Sequence, residues 1–195
     1  MFSLDSKFYR FTVQLVKIIW TNLVFSIVSL VIVTIPAAFS SLVHILINAS
    51  ESNFSDFFKH LKKSFKTTVP LGLVTLFSLL FCLGILPMLS QSLFAKFIFF
   101  IFALFLVTYN INLYVLQDIG HYGKQYWLLF RESFVFSIVI FLKECLVYLI
   151  FMAVYTLTYE KFPILMVLLG ISAPLFFYLK IARYELTKID VMQKK

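Results

Sequence analysis

Charge is what this chain has little of. Only 13% of its 195 residues are Asp, Glu, Lys or Arg. A soluble domain of this size is about a quarter charged and about half apolar. Here 62% of the residues are apolar and mean hydropathy is +0.97. An apolar excess that large does not fit inside one small core, because a globule must still cover its surface with polar groups. That excludes a soluble fold and makes lipid the solvent the surplus requires. Cysteine is scarce too. Cys82 and Cys145 both lie within apolar runs, which argues against a disulfide scaffold and for two small residues facing lipid or a neighbouring helix.

Catalytic motifs are missing as well. There is no nucleophile elbow, phosphate-binding loop or paired-carboxylate pattern. The three histidines, His44, His60 and His121, are far apart and follow no ligand spacing, so neither a metal nor a cofactor is expected. Gly120-His121-Tyr122-Gly123 imitates a glycine loop but lacks the flanking strand and helix, and it reads as a turn. No catalytic residue is assigned and an enzyme is not expected. The formal charge of +8 comes from 17 Lys and Arg against 9 Asp and Glu. Without an aromatic reading platform these cations argue against nucleic acid and for anionic lipid headgroups.

What the chain does have is a succession of apolar runs. Residues 1–195 read as a single all-α membrane domain, a polytopic transmembrane helix bundle of about five spans with interfacial amphipathic helices. A spanning helix needs about 20 residues, and the expected spans are residues 18–47, 69–88, 93–116, 141–159 and 164–181. The first run is too long for a cleaved signal segment, whose apolar region is about 7–15 residues. Pro36 interrupts it, which predicts a kink or break within residues 33–37. The run is then either one kinked span or a span plus a half-helix. Lys7, Arg10, Gln14 and Lys17 form the polar side of an amphipathic segment leading into it.

Asn48 to Asn53 read as a turn, and a basic helix follows. It carries Lys59, Lys62, Lys63 and Lys66 largely opposite Phe54, Phe57, Phe58, Leu61 and Phe65, a pattern suited to lipid headgroups. The Lys143-Glu144 pair interrupts the fourth run. In mid-membrane it would be costly and functional. If residues 125–142 lie along the interface and the span starts near residue 141, it sits one turn inside the boundary, which is the expectation. Among the other polar residues within spans, Asn22, Thr34, Asn110 and Asn112 are the candidates. They either line a cavity or make interhelical hydrogen bonds worth about 0.6–2 kcal/mol each, and the second reading is preferred.

Positive charge sets orientation. In the five-span reading, residues 48–68, 117–132 and the C-terminal tail share one side and hold most of the Lys and Arg, while the opposite loops hold only Lys96 and Lys161. The C-terminus is therefore expected in the cytoplasm. Lys7, Arg10 and Lys17 are then stranded outside, unless Pro36 turns the first run into a re-entrant hairpin.

Asn22-Leu23-Val24-Phe25, then Pro36-Ala37-Ala38, then the basic helix from Asp56 to Lys66 running into Leu71-Gly72-Leu73 occur in that order. Leu128-Leu129-Phe130-Arg131-Glu132-Ser133-Phe134 precedes the fourth span. Together they resemble the YesL-like family of bacterial integral membrane proteins over nearly the whole chain. Phe25 departs from the Trp that the family often has after Asn-Leu-Leu. The resemblance implies a protein of the bacterial plasma membrane, non-enzymatic, with an accessory or scaffold role linked to carbohydrate uptake. Transporter subunits or further copies of the chain would be its partners. A small transporter or channel is the alternative.

Overall fold

A computed structural model describes residues 7–30, 34–48, 54–85, 93–119, 125–159 and 169–193. They form six helices, α1 (Lys7–Val28), α2 (Ile35–Ile47), α3 (Phe54–Ile85), α4 (Leu93–Ile119), α5 (Tyr126–Tyr159) and α6 (Ser172–Gln193), with no strand among the described residues. The predicted turns at residues 49–53, 120–123 and 160–163, and residues 164–168 of the fifth predicted span, lie outside them.

α1, α3, α4 and α5 are long and apolar enough to cross a membrane, and α2 is a shorter apolar helix. Leu73, Phe77 and Leu80 on α3, Phe94 and Phe97 on α4, and Leu142 and Leu146 on α5 are all exposed. In water such faces would be unstable; in hydrocarbon they are the expected surface, and helices satisfy their own backbone there. The protein is an α-helical membrane bundle.

Each helix packs on the next in sequence, and α6 closes back onto α1. α2 also touches α4 and α6, so it lies inside this ring. Its sequence explains the position. Ala37, Ala38, Ser40 and Ser41 are buried, and small side chains let helix backbones approach closely in membranes. A close approach joins Pro36 to Gly72 on α3, where a Cβ would come within 2.2 Å of the proline ring.

The first apolar run is not one kinked span. It is divided between α1 and α2, with Pro36 in the first turn of α2, a position where its missing N–H leaves no helical bond unmade. The Thr34 hydroxyl donates to the Val28 carbonyl across the break at 2.6 Å. Phe25 meets Phe39 edge-on, and Gln14 lies beside Leu46, Ile47 and Arg183. α1 and α2 therefore run antiparallel, which is the hairpin alternative. The physical reason is that a proline inside a continuous helix would lose a backbone bond and clash with the preceding turn, whereas in the first turn of a new helix it does neither.

Two other boundaries also differ. The basic helix and the second span are one 32-residue helix that continues through Pro70. α5 runs for 34 residues without a break near residue 141. Packing at both halves holds each together, with Phe57 and Leu71 buried on α3 and Leu129 and Val147 buried on α5.

Candidate functional site

A polar cleft of about 620 Å³ opens at the end of the bundle where α2 and α4 finish and α3 begins. His44 comes from the last turn of α2, His60 from the early turns of α3, and Asp118 from the last turn of α4. His44 Nδ1 lies 2.9 and 3.1 Å from the two carboxylate oxygens of Asp118, and His60 Nε2 lies 3.3 Å from Oδ1. The two imidazoles stack with centroids 4.1 Å apart and planes 9° apart. The ligand atoms of all three residues fall within 4.8 Å of one another, close enough to share one cation. Lys63 and Arg183 line the same cleft, and the Arg183 guanidinium donates to the Ile47 carbonyl at 3.3 Å.

The histidines were expected to share no site. The fold corrects this for His44 and His60, while His121 lies outside the described residues. Linear spacing missed the cluster because its members come from three helices. The usable signal was topological: each lies where an apolar run meets the same polar boundary.

A second polar layer crosses the interior. The Asn112 amide donates to Ser137 Oγ at 2.8 Å, and the Tyr178 hydroxyl donates to Asn112 Oδ1. Glu144 is fully buried beside Tyr178 and Asn112, with neither carboxylate oxygen in a hydrogen bond of normal geometry. Its neighbour Lys143 pairs instead with Glu185 on α6. The pair expected together near the boundary is thus separated, one member paired across helices and the other inside the bundle.

The remaining predicted residues mostly tie helices. Asn22 Oδ1 accepts from the Ser172 hydroxyl at 3.0 Å and its N–H at 3.3 Å, joining α1 to the start of α6. Asn110 donates to the Leu106 carbonyl within α4 at 2.8 Å and borders an apolar cavity of about 570 Å³ that Tyr148 and Tyr155 also line. Lys59, Lys62, Lys63 and Lys66 are all exposed, and Lys59 pairs with Asp56 at 3.1 Å. Comparison with protein-family models, curated proteins and solved structures found no match to this chain.

Proposed function

We propose that this chain is a non-enzymatic accessory protein of the bacterial plasma membrane, with its basic end in the cytoplasm. The observation that carries the orientation is the clustering of cations. Arg10, Lys59, Lys62, Lys63, Lys66, Arg131, Arg183 and Lys188 belong to helix portions at the cleft end, and Lys96 to the start of α4 at the other. Positive charge is retained on the cytoplasmic side, and the exposed lysines of α3 contact anionic headgroups there. Because α1 and α2 form a hairpin, the start of α1 and the end of α6 share that side, and the conflict over Lys7, Arg10 and Lys17 disappears. The link to carbohydrate uptake rests on the resemblance to the YesL-like family. Purification in mild detergent tests it: co-purifying transporter subunits support the accessory role, and a lone chain with solute flux in liposomes refutes it.

One arrangement favours the second reading, a small transporter. The polar cleft and the apolar cavity lie towards opposite ends of the bundle, with buried Leu113, Leu116, Tyr178 and Leu179 between them. A carboxyl group buried at that depth is a functional candidate by default. Under this reading Glu144→Gln abolishes flux while leaving the fold intact; flux that survives it excludes Glu144 from the path.

A further inference from the structure

The hydrogen bonds around His60 bear on which of its nitrogens offers a lone pair. The Ser41 hydroxyl donates to the Ala37 carbonyl at 2.8 Å, so toward His60 Nδ1, 3.4 Å away, its oxygen can only accept. In the tautomer that uses this contact Nδ1 carries the ring proton, and Nε2 turns its lone pair toward Asp118 Oδ1 at 3.3 Å. A nitrogen lone pair and a carboxylate oxygen repel at that distance unless something positive lies between them. His44 can donate its Nδ1 proton to the carboxylate and remain neutral. In that tautomer His60 cannot, and a metal ion between Nε2 and the carboxylate would satisfy both. A shared metal ion would satisfy the carboxylate and both ring nitrogens at once, and the two rings already lie 4.1 Å apart.

The distances suit the metal, provided the two rings, now nearly parallel, turn so that both lone pairs converge on it. Four-coordinate Zn²⁺, with bonds of about 2.0–2.1 Å, sets its ligand atoms roughly 3.3 Å apart. The carboxylate lies 2.9 to 3.3 Å from the two ring nitrogens. Two imidazoles and a carboxylate select first-row divalent ions over Mg²⁺ or Ca²⁺, which prefer oxygen alone. Ser41 on His60 Nδ1 is the outer partner that metal-bound histidines usually have. We propose that His44, His60 and Asp118 bind a divalent transition-metal ion, with Zn²⁺ the best fit, clamping α2, α3 and α4 together. Three protein ligands leave a coordination position for water or an anion. Lys63 and Arg183 on the same cleft favour the anion, and this offsets their repulsion of the metal.

The test uses the full chain, purified in detergent with a histidine-free tag and stripped by a chelator. Zn²⁺ titrated against a chromophoric competitor is expected to bind at one equivalent. Ser41→Ala weakens binding about 10–100-fold, as loss of a supporting partner does. His60→Gln and Asp118→Asn weaken it by more than that, and the exposed-site control Lys62→Gln leaves it unchanged. Equal affinity in the wild type and the His44→Gln/His60→Gln double variant would overturn the site. Should the variants fail to fold, X-ray absorption of the wild-type Zn²⁺ complex decides: two histidine ligands support the proposal, and fewer than two refute it. The accessory reading does not depend on the metal, so failure here leaves it standing.

Discussion

Asn112 receives a hydroxyl from one helix and gives an amide to another, so its loss removes the acceptor of Tyr178 and leaves Ser137 only its bond to the Ser133 carbonyl. Asn112→Ala is expected to lower stability by about 1–2 kcal/mol, measured by unfolding in mixed detergent. Glu185 behaves differently because it lies past the apolar part of α6. The Lys143 ammonium against it holds its carboxyl below the ordinary value of 4.5. A depressed folded pKa means that the stabilisation is present above about 4.5 and fades as pH falls through the folded value. Melting curves of wild type and Glu185→Gln should therefore differ near neutral pH and converge in acid. At this scale the sequence was partly legible. It singled out Asn112 and Glu144 as polar residues in apolar runs, but their partners Ser137 and Tyr178 carry no local signal. Interhelical pairing depends on helix rotation, and single-chain periodicity does not specify that.

Among the elements, the α2–α3 contact is the most demanding. Gly72→Ala places a methyl against the stiff ring of Pro36, where a Cβ would come within 2.2 Å. Overpacking of this kind costs about 1–3 kcal/mol. Adding Pro36→Ala should restore part of the loss, so a double-mutant cycle that is simply additive would contradict the close approach. The helical class and the position of most apolar runs were readable from composition and length. The hairpin of α1 and α2 was readable only as an alternative, because Pro36 signals an interruption without saying which way the chain turns. The continuity of α3 through Pro70 and of α5 past Lys143 was not readable. Neighbouring helices hold those segments, and local propensity is a weak guide where packing decides.

For the whole molecule, reporters fused at the two termini should be active in the same compartment, the cytoplasm; opposite activities would break the hairpin topology. Zn²⁺ at a hundred times its dissociation constant should stabilise the folded bundle by about 2.7 kcal/mol if it does not bind the unfolded chain. The position of α2 also has a consequence for biogenesis. At about 1.5 Å per residue, its 13 residues reach only ~20 Å, short of the ~30 Å hydrocarbon core. Its buried faces rest on α1, α3, α4 and α6. Synthesis runs from the N-terminus, so most of those partners do not exist when α2 leaves the ribosome. The second helix made must wait for the last one before its seat is complete. A chain stopped at residue 168 is therefore expected to insert yet stay open around α2, and limited proteolysis should cut it near residues 35–47 where the full chain is protected.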